Sequence, residues 1–406
     1  MKIKIHRGTK QIGGNIVEVA TETTRIILDC GRNLPPLDEP KVEDPTQING
    51  LTHGESTYDA VFITHYHADH SGLVERVNVD IPIYMSLETK MVLNIISDFI
   101  NSPLPRTTQD LEHNKEVVIG DIKILPLNVN HSAKGAMMFL LENDGQRMLY
   151  TGDFNHIDAA YYSLIGNIDV LLCEGTNIGA KNGITEKELA IDAASIMRKT
   201  NGQVFVLCST TNIDRIEAIE KACRESGRRM AIDPFMKAIT DSIANLVIDN
   251  PVGFVPHFIK KEETPRSHKY LASDYQSFSG VEAVSKMTNI TFMVRQSMGR
   301  FLKRLAKLTP LSGATLIYSM WKGYKNTVST KKFLDTCRTL GINIECLHAS
   351  GHAYREQLEY AITRISPTVL IPIHTESAEI FLEMHSNVVI LDDGVVLDCK
   401  TGNKWR

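Results

Sequence analysis

The N-terminal stretch alternates apolar and polar residues with the period of a β-strand. Residues 1–6 alternate in this way, and a turn at 13–15 with two glycines leads into the apolar stretch 16–19. A third stretch, 25–29, is rich in β-branched residues. Strand, turn and strand in succession predict a β-meander at the start of the chain.

Several later apolar stretches predict strands, and most of them end at a histidine or an acidic residue. They lie at 58–64, 115–129 (two strands), 146–153, 168–174 and 367–374. In α/β proteins, functional side chains collect at the carboxyl ends of strands. The pattern therefore predicts a site built from residues that are far apart along the chain.

Other segments predict helices, loops and closing strands. Residues 86–100 have helical spacing with Ser86 as a candidate cap, a helix is expected to begin at Ser71, and another is expected over 355–364. Residues 35–57, rich in Pro, Asp, Glu and Gly, predict a loop, and 388–398 predict closing strands.

Between residues 180 and 345 the pattern changes to alternating helices and strands. Helical spacing at 186–199 and 214–226 alternates with apolar runs at 202–209, 229–232 and 313–320. This is typical of a doubly wound α/β unit. We therefore expect two domains. The first domain consists of residues 1–180 and 346–406, and the inserted domain consists of residues 181–345.

Composition places the chain among ordinary two-domain globular proteins. It has 406 residues, of which 43% are hydrophobic and 23% charged, with a net charge of −4. Its seven cysteines include no CxxC pair, which favours reduced thiols in a cytosol. The sequence has no apolar signal-peptide core and no run long enough to cross a bilayer. We expect a cytoplasmic protein without a membrane partner.

Charge is unevenly distributed along the chain. Between 295 and 340 there are ten basic residues and a single acidic one, Asp335, so this segment carries +9 and the rest carries −13. Arg300, Lys303, Arg304 and Lys307 share one face of a predicted helix. A basic domain facing an acidic one suits a cleft that follows a phosphate backbone. The alternative is a solvated, lysine-rich helix.

The most informative segment is 64–70, Thr-His-Tyr-His-Ala-Asp-His. A chance match to His-x-His-x-Asp-His is expected on the order of 0.001 times in such a chain. Imidazole and carboxylate are ligands for zinc and related metals. His65 and His67 can face one ion, and Asp69 and His70 can hold a second. A histidine-rich surface turn is the alternative, but the cluster is internal and follows an apolar strand.

Three further residues are ambiguous from spacing alone. Asp29 before Gly31 fits a plain turn as well as a functional role. A lone histidine such as His131 is more often structural than a ligand. Asp153 fits a turn cap, although two clustered cations need a bridging carboxylate.

The histidine cluster resembles the signature of the metallo-β-lactamase fold, and later motifs resemble those of the β-CASP nucleases. Glu174 stands at the first β-CASP motif, where many ribonucleases J have Asp. Residues 349–353 (Ala-Ser-Gly-His-Ala) match the second motif, and His374 stands at the third, followed by Thr375 where ribonuclease J usually has Gly. The whole chain most resembles ribonuclease J and its archaeal relatives.

The resemblance implies a metallo-β-lactamase αββα sandwich with an inserted doubly wound β-CASP domain. It implies a first metal site of His65, His67 and His131, and a second of Asp69, His70 and His374. Asp153 would bridge them, and Asp29 would orient the metal loop without binding metal. Two divalent ions, zinc or manganese, are the expected cofactors.

The resemblance also implies catalytic and RNA-binding roles. The expected catalytic residues are Asp69 (also a metal ligand), His352, as proton donor or phosphate contact, and Glu174, which would accept a hydrogen bond from the His352 ring. Ser350 would touch the adjacent phosphate. The segment with Thr211, Asn212 and Arg215 would hold RNA phosphates, although an ordinary N-cap explains Thr211 or Asn212 equally well.

The function expected on these grounds is a metal-dependent ribonuclease, a 5′-to-3′ exonuclease, an endonuclease or both. DNA-directed β-CASP enzymes usually carry an apolar residue where this chain has His374, which favours RNA. The family usually continues into a C-terminal domain that helps assembly, so a short form is expected, with a homodimer as one assembly. Two alternatives remain: a hydrolase of a small ester, thioester or lactone, and a binding module without turnover.

Overall fold

The computed structural model describes residues 1–34, 44, 46–100, 104, 108–244, 246–256 and 278–405. Much of the predicted loop at 35–57 therefore lies outside the described residues. The described strands are, in chain order, β1 (Lys2–Arg7), β2 (Ile16–Ala20), β3 (Arg25–Leu28), β4 (Ala60–Phe62), β5 (Ile83–Ser86), β6 (Thr108–Leu111), β7 (Val117–Ile119), β8 (Ile122–Asn128), β9 (Met137–Asn143), β10 (Gln146–Tyr150), β11 (Val170–Glu174), β12 (Val204–Leu207), β13 (Arg229–Ile232), β14 (Val252–Phe254), β15 (Phe278–Ser279), β16 (Ile290–Val294), β17 (Thr315–Tyr318), β18 (Asn343–Cys346), β19 (Val369–Ile373), β20 (Val396–Asp398) and β21 (Lys404–Trp405).

The described α-helices are, in the same order, α1 (Ala68–Ser71), α2 (Leu87–Ile100), α3 (Tyr161–Ile165), α4 (Glu186–Lys199), α5 (Ile213–Glu225), α6 (Pro234–Ser242), α7 (Val281–Val284), α8 (Gly299–Leu305), α9 (Val328–Thr339) and α10 (Arg355–Ile365). Short 3-10 turns lie at Val74–Arg76, Gln296–Met298, Lys322–Asn326 and Ala378–Glu383. No described helix has the length and apolar character needed to cross a membrane.

Two sheets pack face to face and form the two inner layers of a sandwich. One has the order β21-β20-β1-β2-β3-β4-β5-β6 and the other β19-β11-β10-β9-β8-β7. A buried apolar cluster joins their inner faces, with Ile5 and Phe62 from one sheet and Phe139 and Ile371 from the other. The rings of Phe62 and Phe139 meet edge to face at 5.7 Å.

Helices cover the outer faces of this sandwich. Val92 of α2 packs with Ile83 on the outside of the eight-stranded sheet, and Ile362 of α10 packs with Leu171 outside the six-stranded one. Successive residues of a strand point to opposite faces of its sheet. Each sheet therefore buries one face against the other sheet and the opposite face under helices. The arrangement confirms the predicted α/β class and its αββα sandwich.

The third sheet is formed by residues of the middle of the chain, in the order β15-β14-β13-β16-β12-β17-β18. Its described strand pairs are all parallel. Helices α4 and α5 cover one face, and α8 and α9 the other. Burial on both faces explains why strands such as β12 (Val-Phe-Val-Leu) are apolar throughout. The domain boundaries at 180 and 345 remain a prediction.

Two element predictions were wrong in detail. The helix expected to begin at Ser71 instead ends there as α1, with Gly72 as its C-cap. The close approach of the Ala68 carbonyl, 2.3 Å from where a Cβ would lie, leaves room only for glycine at position 72. Of the predicted closing stretch 388–398, only β20 is a strand. The preceding residues cross from one sheet to the other: Val389 donates to Leu370 beside β19, and Gly394 donates to Ile5 of β1.

Candidate metal centre

The ends of four strands of the six-stranded sheet meet at one edge. Strands β10, β11 and β19 are parallel, and β8 has the same direction because two antiparallel steps separate it from β10. The residues that follow or end these strands are His131, Asp153, Glu174 and His374. Sequence-distant polar residues are therefore brought to the same edge by strand pairing alone.

The eight-stranded sheet contributes the histidine loop. Strands β3 and β4 are parallel, so Asp29 and the loop after β4 leave the sheet at the same end. The backbone N–H of Met137 in β9 donates to the carbonyl of Thr64 at 3.0 Å. This bond joins the loop to the edge of the second sheet.

Three imidazoles converge on the first candidate position. His65 Nε2 lies 3.0 Å from His67 Nδ1, and His131 Nε2 lies 3.2 Å from the same atom. Burial, with the neighbouring imidazoles as a further cause, lowers the pKa of His65 and His131 well below the ordinary value. Burial lowers the pKa of His67 to about 4. Three neutral rings presenting nitrogen atoms to one point form a metal-ligand geometry.

Two carboxylates and two imidazoles form the second group, with Asp69, His70, Asp153 and His374 all offering atoms within 4.8 Å of one another. His70 Nε2 lies 3.0 Å from Asp153 Oδ2, and His374 Nε2 lies 3.4 Å from Asp69 Oδ2. The contact of His70 Nε2 with Asp153 lacks hydrogen-bond geometry, so His70 Nε2 and Asp153 Oδ1 are both buried without a hydrogen-bond partner among the described residues. Buried polar atoms left in this way need a ligand.

Asp153 lies between the two groups. Its Oδ2 is 3.8 Å from His65 Nε2 and 3.9 Å from His131 Nε2, while its Oδ1 is 3.7 Å from His374 Nδ1. Burial raises its pKa, but the surrounding imidazoles outweigh this and hold the pKa well below the ordinary value. An ionised carboxylate in this position can touch cations on both sides.

Outer contacts fix the ring orientations. Asp29 Oδ2 accepts from His70 Nδ1 at 2.7 Å and from the Tyr150 hydroxyl at 2.8 Å, and Asp29 Oδ1 accepts from the Thr64 N–H at 2.7 Å. The Gly351 carbonyl contacts His131 Nδ1, and the Thr176 hydroxyl contacts His374 Nδ1, each at 2.8 Å. Such contacts leave the other ring nitrogen aimed at the centre.

The residue types fit divalent cations. The donors are imidazole nitrogens and carboxylate oxygens, and Asp153 lies between the two groups. Two of the buried atoms lack a hydrogen-bond partner among the described residues. This donor set suits zinc or manganese. All seven predicted ligands are among the residues brought together, but their assignment as ligands remains a prediction.

The predicted catalytic pair lies beside the centre. His352 Nδ1 is 3.1 Å and 3.3 Å from the two oxygens of Glu174 and 3.8 Å from Asp153 Oδ2. Burial lowers the pKa of His352, but Glu174 and then Asp153 outweigh it and raise the pKa to about 9. The carboxylates around the ring therefore favour its imidazolium form. Ser350 accepts from Asn177 at 2.8 Å and from the His352 N–H at 3.2 Å.

The three predicted phosphate contacts after β12 have different environments. Asn212 caps α5 by accepting from the Arg215 N–H, and the Thr211 hydroxyl contacts Ser209. Arg215 is fully buried; it pairs with Glu186 and donates to Ser319 and to the Ala349 carbonyl. The expectation that Arg215 binds phosphate is therefore corrected, because its donors are already used inside the protein.

The basic stretch is partly paired. Arg295 pairs with Asp233, and Arg338 pairs with Asp335. Helix α8 ends at Leu305, so Lys307 lies beyond the helical face predicted for it. The exposed members are Arg300, Lys303, Lys307, Lys322, Lys331, Lys332 and Arg338.

Sequence reasoning missed the residues that position the ligands. Thr176, two residues after Glu174, offered a weak signal as a polar residue at a strand end. Tyr150 lies inside an apolar strand, and Tyr66 donates to the Thr211 carbonyl at 2.7 Å from within the histidine loop. Their partners are more than a hundred residues away, so spacing gave no indication of them.

Comparisons with known proteins found a matching domain profile and several similar sequences. The profile of the beta-lactamase superfamily domain matches residues 24–208. A ribonuclease J of Mycobacterium tuberculosis is 23% identical over 402 residues, covering 90% of this chain and 67% of the relative. A ribonuclease J of Mycolicibacterium smegmatis is 23% identical, covering 97% of this chain and 74% of the relative.

Two further comparisons cover an archaeal protein and a solved structure. An RNase J-like protein of Methanocaldococcus jannaschii is 29% identical over 43% of this chain and 42% of its own length. The crystal structure of a protein of unknown function from Enterococcus faecalis V583 matches with a TM-score of 0.78 and 22% identity, covering 98% of this chain and 99% of that one. This structural similarity supports the fold and carries no conclusion about function.

These comparisons confirm the resemblance found in the sequence and the predicted fold class, and they support the prediction of a hydrolase. The sandwich of two sheets, the buried histidine and aspartate groups at its edge and the similarity to ribonuclease J along most of the sequence lead to one conclusion. Along most of its length, the chain resembles the ribonuclease J-like β-CASP proteins of the metallo-β-lactamase superfamily.

Proposed function

We propose that this protein is a metal-dependent ribonuclease that hydrolyses RNA phosphodiester bonds at the His/Asp centre. The observation that carries the proposal is the position of Asp153 between two convergent ligand groups, with the His352–Glu174 pair beside it. The similarity to proteins named ribonuclease J supports RNA as the substrate. The chain spans about two thirds of the length of the first of these relatives.

The metal ligands are proposed as His65, His67 and His131 for one ion and Asp69, His70 and His374 for another, with Asp153 shared. Two divalent ions held there would supply a hydroxide near neutral pH and stabilise charge on the phosphate. The buried, neutral imidazoles of the first group need no deprotonation before binding a cation.

The proton donor is proposed as His352. Its Nδ1 is held by Glu174, which leaves Nε2 to give a proton to the leaving 3′ oxygen as the P–O3′ bond breaks. The products are a 3′ hydroxyl and a 5′ phosphate. Glu174 acts as a positioning residue that favours the imidazolium. Ser350, held by Asn177, is proposed to contact the adjacent phosphate.

RNA labelled separately at its 5′ and 3′ ends tests the activity and the direction of cleavage. We expect cleavage that stops with a chelator and returns with Zn²⁺ or Mn²⁺. Mononucleotides released from the 5′ end would indicate 5′-to-3′ exonuclease action, and internal fragments would indicate an endonuclease. Metal-dependent hydrolysis of small esters without RNA cleavage would favour the small-molecule alternative, and RNA binding without any hydrolysis would favour a binding module.

Two substitutions separate metal binding from proton transfer. Asp153→Ala should abolish cleavage and lower the metal content of the purified protein. His352→Ala should lower kcat by about 10²- to 10⁴-fold, the range for a general acid, with metal content unchanged. The matched control is His156→Ala, since His156 is exposed. Full activity of His352→Ala would remove this residue from the mechanism.

A further inference from the structure

The carboxyl edge of the seven-stranded sheet abuts the metal centre. After β12, the Thr211 carbonyl accepts from Tyr66, which lies between His65 and His67. After β17, the Ser319 hydroxyl donates to the Leu347 carbonyl at 2.6 Å, in the segment that leads to His352. Residues that follow β17 therefore emerge beside the candidate active site.

The residues that emerge there form an aromatic pair. Trp321 and Tyr324 meet edge to face, with ring centroids 5.4 Å apart and planes at 86°. Trp321 is 44% exposed, so a large part of its side chain is open to solvent. A Cβ at Gly323 would lie 1.9 Å from the indole ring, so only glycine leaves room for this packing.

Hydrogen bonds hold the pair in place. The Tyr318 hydroxyl at the end of β17 donates to the Trp321 carbonyl at 3.1 Å, and the Thr327 hydroxyl donates to the Tyr324 carbonyl at 2.9 Å. Thr327 also caps α9. The two residues are thus held between a strand and a helix. This fixes the orientation of the part of the indole ring that remains exposed.

Tyr324 is the more buried member of the pair. Burial first, and then the negative charge of Asp69, raise the pKa of its hydroxyl to about 12. Its partner Trp321 is exposed and forms the solvent side of the pair. Two lysines adjoin the pair in sequence. Lys322, next to Trp321, is exposed, and Lys325, next to Tyr324, lies 5.0 Å from the Tyr318 ring and donates to Cys346 Sγ at 2.6 Å.

We propose that Trp321 and Tyr324 form a stacking platform for an unpaired nucleobase of the RNA strand entering the metal centre. This inference rests on the proposed ribonuclease function and names the form of its substrate. An indole face exposed beside lysines is the combination that binds single strands, because bases stack on the ring while ammonium groups meet the phosphates. A base held in a duplex cannot stack there, so the platform selects single-stranded RNA.

Tryptophan fluorescence tests the inference directly, because the chain has only two tryptophans, Trp321 and Trp405. In a Trp405→Phe protein with metal bound, a short 2′-O-methyl oligoadenylate, which resists cleavage, should quench the remaining indole. An abasic oligomer of the same length should leave the fluorescence unchanged. Binding without quenching would overturn the platform, and in that case RNA binding itself would stand.

Affinity and turnover give a second, independent measurement. Trp321→Leu should weaken binding of the oligoadenylate by about 5- to 100-fold, the range reported for loss of one base–aromatic stack, and Trp321→Phe should recover part of it. The matched control is Trp405→Leu, since Trp405 is 42% exposed and lies on β21 at the edge of another sheet. Its affinity should equal that of the natural protein.

Cleavage measured in parallel keeps this inference apart from the proposed function. If Trp321→Leu raises KM for single-stranded RNA and leaves kcat within about twofold, the platform is supported. If RNA is cleaved with an unchanged KM, the platform is wrong and the ribonuclease stands. If the natural protein neither binds nor cleaves RNA, the stacking platform and the proposed ribonuclease function are both wrong.

Discussion

Single residues at the centre are held in conformations that most side chains avoid. Asp29 has φ +60° and His374 has φ +55°, in the left-handed region that non-glycine residues seldom adopt. Both lie at strand ends, Asp29 against His70 and His374 against Asp69 and Thr176. The contacts that fix these side chains outweigh a backbone cost of about 1–3 kcal/mol each.

Asp29 is predicted to act through His70. Asp29→Asn keeps the size and tolerates positive φ, but it removes the charge that faces the His70 ring. The affinity for the second metal ion should fall about 10- to 100-fold, measured by competition with a chromogenic chelator. The control is Asp121→Asn at an exposed position. Equal affinity in the two variants would contradict the assigned role.

At the scale of elements, helix α5 connects the seven-stranded sheet to the segment that carries His352. Arg215 on α5 donates at 2.7–2.8 Å to the Ala349 carbonyl, the Ser319 carbonyl and both oxygens of Glu186. A buried guanidinium with satisfied donors fixes the position of everything it touches. The order of α5 and of residues 349–352 is therefore coupled.

Removing this connection should be costly. Arg215→Met should lower the free energy of unfolding by about 3–5 kcal/mol, because the partners of the guanidinium are left unpaired. On the same helix, Lys221 and Glu225 form a pair one turn apart in which both side chains are exposed, so Lys221→Met should cost about 1 kcal/mol or less. Urea unfolding of the two variants measures the difference. Equal losses would mean that the burial of Arg215 has no energetic consequence.

At the scale of the whole molecule, the centre brings together residues from 29 to 374. Its candidate ligand atoms lie close together, with imidazole nitrogens about 3 Å from one another. Two of the buried atoms have no hydrogen-bond partner among the described residues. Cations that bind the folded chain therefore stabilise it as a whole.

We expect the thermal unfolding midpoint of chelator-treated protein to rise with Zn²⁺ or Mn²⁺. The gain is about 2.7 kcal/mol when the free metal is 100-fold above the dissociation constant, and it grows with the logarithm of metal concentration. Calorimetry at several metal concentrations measures it, with Mg²⁺-free chelator buffer as the reference. A midpoint that does not respond to any divalent ion would contradict a metal centre.

Much of the fold and the candidate site could be predicted from local sequence. The apolar period predicted α4 (Glu186–Lys199) and β13 (Arg229–Ile232) with their bounds, because those segments pack along their own length. The cluster at 64–70 was apparent for the same local reason, since four ligand-type residues adjoin one strand. The family resemblance added His131, Asp153 and His374, which no spacing could select.

The sequence by itself determined many of the strands, which residues could bind a metal, and where charge accumulates. Tertiary structure alone decided that Arg215 faces inward, that Thr176 and Tyr150 support the candidate ligands, and that Trp321 packs against Tyr324. The physical reason is that periodicity records only which face of an element is buried. Which distant side chains meet is set by strand order and direction, and these depend on the packing of the whole chain.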